Sequence, residues 1–166
     1  MAHSVSRRQL FTRRREAVVR PPWAVDESAF VTACTRCNDC IEVCEPAVLM
    51  RGDGGFPEFS PARGECTFCE ACVDACKTGA LSLSVSPVMP WIARLSDNCV
   101  AMKGVECRIC AEQCEPAAIR IRPRPGGIFV PELNAEVCNG CGACVRPCPV
   151  QAISFVRQSE EMTHAR

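Results

Sequence analysis

Tyrosine is absent from this chain of 166 residues, aromatic residues make up only 5%, and histidine occurs twice. So few rings leave little material for a conventional core, and a chain of this size then needs covalent or metal staples. His3 and His164 stand at the extreme ends. Neither is assigned a ligand role, and no Ser–His–Asp set is possible around them. No run approaches 18 consecutive apolar residues, which excludes a transmembrane helix and an integral membrane protein. Net charge is also missing, since 19 Lys and Arg balance 19 Asp and Glu. Nothing about the whole chain therefore argues for nucleic acid. There is no Walker loop. Gly52-x-Gly54 and Gly140-x-Gly142 lack the strand–helix context of a dinucleotide fingerprint.

What the chain has instead is cysteine, 16 in all. They fall into four groups of four: Cys34, Cys37, Cys40 and Cys44; Cys66, Cys69, Cys72 and Cys76; Cys99, Cys107, Cys110 and Cys114; Cys138, Cys141, Cys144 and Cys148. Groups one, two and four read C-x2-C-x2-C-x3-C. Disulfide frameworks scatter their cysteines so that distant segments are joined. Three thiols at every third position are too close together to bridge one another without strain. Zinc sites usually pair two short hooks separated by a dozen or more residues. Three short gaps in one run point instead at one compact object, the [4Fe–4S] cubane of bacterial ferredoxins.

In two-cluster ferredoxins the first three cysteines of a run bind one cluster and the fourth binds the other. That rule assigns one site to Cys34, Cys37, Cys40 and Cys76, and a second to Cys66, Cys69, Cys72 and Cys44. It assigns a third to Cys138, Cys141, Cys144 and Cys114, and a fourth to Cys99, Cys107, Cys110 and Cys148. Three to four [4Fe–4S] clusters per chain are expected. The range reflects Cys99, whose alternative role is that of a free buried cysteine.

A repeat underlies the grouping. Each run is followed at a fixed offset by a small or branched residue and an aliphatic one: Val48-Leu49, Ala80-Leu81, Ala118-Ile119 and Ala152-Ile153. Four copies of one unit are expected: ligand loop, short helical turn, strand. A larger repeat lies above it. Cys44-Glu45-Pro46-Ala47 recurs 70 residues later as Cys114-Glu115-Pro116-Ala117, so the irregular third group is the counterpart of the first, with five extra residues between its first two cysteines. The expected fold is α+β: two tandem bacterial-ferredoxin-like modules, each with two [4Fe–4S] clusters, short strands and helices, and cysteine-rich loops. The expected boundaries are a basic arm over 1–30, module A over 31–86, a linker over 87–96, module B over 97–158 and a tail over 159–166. Alternation predicts strands over Leu81–Ser86 and Ile119–Arg122, with further strands at Ile128–Val130 and Ile153–Val156. Asp53-Gly54-Gly55 and Pro125-Gly126-Gly127 are turns between paired strands. Asp26 caps a short helix running into Cys34. Residues 6–19 could be helical but show no clear apolar face.

Proline often follows the fourth cysteine of such runs, but only Cys148-Pro149 keeps it; Glu45, Lys77 and Glu115 stand there in the other three. Charge and exposure at that position tune potential and ease of release, and drift on a solvated loop explains it equally. Residues 1–20 hold six arginines against one glutamate. That arm either docks to a partner, through Arg7, Arg8, Arg13, Arg14 and Arg15, or only keeps the chain solvated. Ser6-Arg7-Arg8-Gln9-Leu10-Phe11 opens like a twin-arginine signal, but Thr12-Arg13-Arg14-Arg15-Glu16 follows where an apolar region belongs. The expected location is the reducing cytoplasm, where thiolates persist.

These residues resemble the NapF family, ferredoxin-type accessory proteins of the periplasmic nitrate reductase system. The resemblance rests on Ser6-Arg7-Arg8, Arg20-Pro21-Pro22-Trp23, Asp26-Glu27-Ser28, Cys34-Thr35-Arg36-Cys37 and Gly54-Gly55-Phe56-Pro57. It continues through Val105-Glu106-Cys107-Arg108, Cys114-Glu115-Pro116 and Leu133-Asn134 ahead of Cys138-Asn139-Gly140-Cys141-Gly142-Ala143-Cys144. It implies a cytoplasmic protein, not an enzyme, that binds the precursor of the nitrate reductase catalytic subunit before export and assists loading of its [4Fe–4S] cluster. It also implies three regular clusters, which leaves the group around Cys99 open. A general low-potential electron carrier between redox enzymes is the other function class, and fold alone does not separate the two.

Overall fold

The structure, a computed structural model, describes residues 18–87 and 89–158. The possible helix over 6–19 falls almost wholly outside them, as do the five arginines of the proposed docking set. The architecture is α+β, made of very short elements: α1 Glu27–Ala33, α2 Asp39–Glu42, β1 Leu49–Arg51, β2 Pro57–Phe59, α3 Ala71–Asp74, β3 Trp91–Leu95, α4 Ile109–Glu112, β4 Ile119–Arg124, β5 Ile128–Leu133 and β6 Ile153–Arg157. The strands form three separate antiparallel pairs, β1–β2, β4–β5 and β3–β6. A two-stranded sheet is marginal alone, so each pair depends on what its inner face covers.

The expected repeat is visible in burial. Val48, Leu49, Ala80, Leu81, Ala118, Ile119, Ala152 and Ile153 are all buried, none more than 6% exposed. In the first half they join Trp23, Phe30 and Phe59 in one apolar cluster; in the second, Ala93, Ile119 and Ile153 pack with Cys110 and Cys144. Both glycine turns connect paired strands. Gly54 and Gly55 lie between β1 and β2, and Gly126 and Gly127 between β4 and β5, all at positive φ. Three of the four runs carry the expected helical turn, α2, α3 and α4, whereas residues 143–147 of the fourth form turns.

Three expectations are corrected. Residues 81–86 do not continue as a strand. Leu81 makes one bridge to Ala24, then the Ser82 hydroxyl accepts from the Ser84 N–H at 3.2 Å and the Val85 N–H closes a turn on the Ser82 carbonyl. Serine offers the backbone this local alternative to a ladder, and no long partner strand competes. The stretch 87–96, expected as a linker, contains β3, which pairs over its whole length with β6, Trp91 opposite Arg157 and Leu95 opposite Ile153. The expected arm, 1–30, ends inside the fold. Trp23 and Phe30 are buried, the Val25 N–H donates to the Ala80 carbonyl and the Ser82 N–H to the Trp23 carbonyl. The segment around Ala24 is thus the first-half counterpart of β3, each lying against the segment that follows a fourth cysteine.

Asp26 caps α1, accepting from the Ser28 and Ala29 N–H groups. Arg20 holds the same end in place. Its guanidinium lies 5.0 Å from the Phe30 ring and 5.3 Å from Phe56, and pairs with Glu27 at 2.7 Å. The extra residues of the third group fold into a 3₁₀ turn over Ala101–Lys103, ended by Gly104 at φ 84° and packed against β5. Among the described residues no helix is long and apolar enough to cross a membrane.

Candidate iron–sulfur sites

The chain's thiols gather into four cavities, and each cavity is ringed by four cysteines drawn from two runs. One is lined by Cys34, Cys37, Cys40 and Cys76. A second is lined by Cys44, Cys66, Cys69 and Cys72. The third takes Cys114, Cys138, Cys141 and Cys144, and the fourth Cys99, Cys107, Cys110 and Cys148. The crossing of the fourth cysteine to the other site therefore appears in both halves, the irregular group included. The second, third and fourth cavities hold about 20 Å³ each, and the first about 290 Å³.

Local backbone explains how thiols three residues apart face one point. The second cysteine of each regular run stands between two left-handed residues: Arg36 and Asn38 around Cys37, Phe68 and Glu70 around Cys69, Gly140 and Gly142 around Cys141. A third left-handed position falls three residues after every fourth cysteine, at Ala47, Gly79, Ala117 and Gln151. Non-glycine residues seldom adopt positive φ, and each costs on the order of 1–3 kcal/mol. The positive-φ non-glycine residues of the described chain all sit at these offsets. Left-handed residues alternating with others turn successive N–H groups inward, the concavity that holds anions and iron–sulfur groups. Two sulfurs already accept such bonds: Cys76 from the Leu81 N–H at 3.4 Å, and Cys148 from the Ala152 N–H at 3.2 Å. In the irregular group Arg108, the residue after Cys107, has φ −128°. There the insertion replaces the left-handed pair as the device that brings Cys99 to its partners.

Electrostatics match an anionic ligand set built for a cationic guest. Burial, then neighbouring cysteine thiolates, push the Cys72 and Cys144 thiols up to about 12. Burial leads the rise of Cys40, Cys66 and Cys110 to about 11. Cys76 goes the other way: burial raises it, but the Leu81 N–H and the Thr78 hydroxyl outweigh that and lower it. Crowded thiols of this kind ionise together only around metal. Among the described residues no three or more Cys, His, Asp or Glu side chains are gathered as one bare ion requires, and a zinc tetrahedron needs sulfurs about 2.3 Å from its centre. Four thiols from two runs, three of them at every third residue of one run, suit a multi-atom cubane better.

The halves meet at their inner sites. The Cys66 N–H donates to the Cys141 carbonyl at 2.8 Å. Gly142 lies so close that a Cβ there would stand 3.0 Å from the Gly64 carbonyl and from the Pro61 Cβ. Gly140 is more confined still, a Cβ there standing 2.6 Å from the Met89 Cβ and from the Trp91 carbonyl. The sites adjoin within each half through the crossing cysteines and between halves through this contact, so adjacency runs from the site of Cys34 through those of Cys66 and Cys138 to that of Cys99.

Sequence reasoning named all sixteen cysteines but missed the left-handed positions and the Gly142 contact. Their signal was present in the constant offset from each cysteine, and the two glycines of run four mark where side chains cannot fit.

A 4Fe-4S dicluster domain matches residues 22–81, and a second 4Fe-4S dicluster domain matches residues 103–152. The chain is 45% identical over 157 residues to the ferredoxin-type protein NapF of Escherichia coli K12, a match covering 93% of this chain and 96% of that protein. It is 47% identical over 146 residues to the ferredoxin-type protein NapF of Haemophilus influenzae, covering 86% of this chain and 82% of the relative. The ferredoxin-type protein NapG of Escherichia coli K12 is 30% identical over 154 residues.

Proposed function

The chain belongs to the NapF family of ferredoxin-type proteins, and from that premise we propose that it binds four [4Fe–4S] clusters and assists iron–sulfur loading of the nitrate reductase catalytic subunit in the cytoplasm, before that subunit is exported. The observation that carries the reading is the set of four cavities, each ringed by four thiols from two runs. When bound, a cubane supplies one-electron storage and an iron–sulfur unit that other thiolates can take over. The chain's own part is to hold four thiolates per site, to aim backbone N–H groups at their sulfurs and to present the loops at its surface. It performs no catalysis of its own. The two ligand-bearing modules, expected over 31–86 and 97–158, take in the Trp23–Phe30 segment and β3 as well, with the cysteines assigned as in the four cavities. The basic arm, with Arg7, Arg8, Arg13, Arg14 and Arg15, is the docking element for the precursor subunit.

The test is anaerobic. Iron-loaded protein is mixed with the precursor subunit lacking its cluster, and the subunit is re-isolated and assayed for iron and for nitrate reduction. Gain of both, from a direct complex, is the expected result. No complex and no activation would leave the general electron carrier. One observation favours that second reading: the Cys66–Cys141 hydrogen bond joins the inner sites across the halves, an arrangement that a carrier of several electrons would use. Fractionated cells should hold the full-length protein in the cytoplasm, and a processed periplasmic form would refute that location.

A further inference from the structure

The four sites are not equally closed. The site of Cys99 has two buried thiols, Cys99 and Cys110, an apolar rim including Leu95, Ile109 and Val150, and Pro149 after its crossing cysteine. The site of Cys138 has Cys144 buried and meets the other half at Cys141. The site of Cys66 has an exposed thiol, Cys69, but Pro22, Trp23 and Leu49 wall its cavity, and Trp23 is buried.

The site of Cys34 differs in its width and in the side chains at its mouth. Its cavity holds about 290 Å³ against about 20 Å³ for each of the others. Its Cys37 thiol is exposed, as Cys69 is in the neighbouring site, and here the adjoining Arg36 is turned away onto the Phe56 ring at 5.3 Å. At its mouth the polar side chains of Asn38, Asp39, Lys77 and Thr78 stand beside an otherwise mostly apolar lining. Across that mouth runs an ion pair, Lys77 Nζ to Asp39 Oδ2 at 3.2 Å. Lys77 directly follows the crossing ligand Cys76, and Asp39 directly precedes Cys40. The pair therefore ties together the two chain segments that supply the ring. Lys77 is 85% exposed, so the tie is weak and open to competing charge.

We infer that the site ringed by Cys34, Cys37, Cys40 and Cys76 is the one that gives up its cluster first, and that the Lys77–Asp39 pair is the clasp on its mouth. This rests on the proposed loading role and names the site that performs it. An acidic side chain of the recipient that draws Lys77 away from Asp39 would open the ring. Release is ligand exchange. Each iron–thiolate bond to Cys34, Cys37, Cys40 or Cys76 that breaks is replaced by one to a recipient cysteine. Four protons pass from the recipient's thiols to these four, and the cluster's oxidation state is unchanged.

The experiment uses the full chain loaded with iron and sulfide under strict anaerobiosis. It is challenged in one arm with a ferrous chelator and in another with the cluster-free precursor subunit. Freed thiols are alkylated as iron leaves and located by peptide mass spectrometry. The expected result in the chelator arm is a first phase of about one quarter of the iron, with alkylation at Cys34, Cys37, Cys40 and Cys76. Lys77→Glu should speed that phase by up to about fivefold, the range of an exposed ion pair. High salt should speed the wild type similarly and Lys77→Glu little. The reversed pair, Asp39→Lys with Lys77→Glu, should restore the slower rate. First alkylation at any other set of four would overturn the site, even where the subunit gains iron. An unchanged rate in Lys77→Glu would overturn the clasp. Release from the named site that leaves the precursor subunit empty would uphold the order of release and refute the loading role instead.

Discussion

Replacing Cys99 by alanine separates a ligand from a packing residue, because the two roles predict different magnitudes. Cys99 is 8% exposed and packs with Ala101 and Ala152. As a packing residue its loss would remove one buried sulfur, roughly 1 kcal/mol, and leave the iron content alone. As a ligand in the cavity with Cys107, Cys110 and Cys148, its loss empties a site. Iron and sulfide would then fall by about a quarter. A group that binds only the folded chain, present at a thousandfold over its Kd, stabilises by about 4 kcal/mol. At about 2–4 °C per kcal/mol for a chain of this size, emptying the site should lower Tm on the order of 10 °C, against about 3 °C for packing alone. The crossing rule sharpens the test. Cys148→Ala should cost the same quarter, and the double variant Cys99→Ala/Cys148→Ala no more than either change alone. Cys144→Ala with Cys148→Ala should cost half, because those neighbours serve different cavities. Iron and sulfide analysis after anaerobic purification, with calorimetry alongside, reads all four proteins. Full iron in Cys99→Ala, or a half lost in the Cys99/Cys148 pair, would refute the fourth site as drawn.

Four shorter predictions follow from the fold. Phe30→Ala removes a fully buried ring beside Arg20 and Trp23 and should cost about 3–5 kcal/mol in denaturant unfolding; a cost below about 1 kcal/mol would mean that α1 does not dock. Gly142→Val places a branched side chain at φ 93° against Gly64 and Pro61, so the Cys66 amide, which donates across the halves, should lose hydrogen-exchange protection; retained protection would refute the contact. Removing residues 1–17 should leave iron content intact but weaken binding of the precursor subunit in a salt-dependent way, and the cut must spare Arg20, which holds α1. Hydrogen bonding from Arg20 keeps the Glu27 carboxyl below its usual range. A depressed carboxylate contributes stability above its unfolded value and loses it as pH falls through the folded one, so Arg20→Gln should flatten the acid limb of a Tm-against-pH profile measured below about pH 5.

Much of this fold was legible because cysteine spacing is a geometric statement. Three thiols at every third residue can reach one centre only if the chain wraps that centre, and a fourth thiol set too far along the run must reach the next one. With the crossing rule of two-cluster ferredoxins, that spacing anticipates the sets of cysteines lining three of the cavities, and the 70-residue repeat adds the set with Cys99. The paired small and aliphatic residues after each run were legible for a related reason: beside a fixed cavity wall only one side chain of each pair has room to be large. What stayed hidden was pairing between distant segments. Leu81–Ser86 alternates as a strand should, yet alternation records only the face a strand would bury and says nothing of whether a partner of equal length exists. Residues 91–95 show the converse. Pro87 and Pro90 make their approach read as a linker, but β3 is defined by β6, some 60 residues away, and the identity of that partner is carried by neither segment.

The left-handed residues give a more general reason for the limit. Arg36, Asn38, Phe68 and Glu70 occupy positions where the fourth run has Gly140 and Gly142. Were conformational ease decisive, glycine would stand at all six. Side chains are tolerated in the first two runs because the loops of Cys34 and Cys66 face outward: Cys37 and Cys69 are the exposed thiols of the set. Glycine is required in the fourth run because that loop is pressed against Met89, Trp91 and the Pro61–Gly64 turn. The same local geometry is thus reached with strain where there is room and with glycine where there is none. The choice of residue reports the surroundings of the loop more than its conformation. That pattern separates the loops around Cys37 and Cys69, which have room for side chains, from the loop around Cys141, which has none.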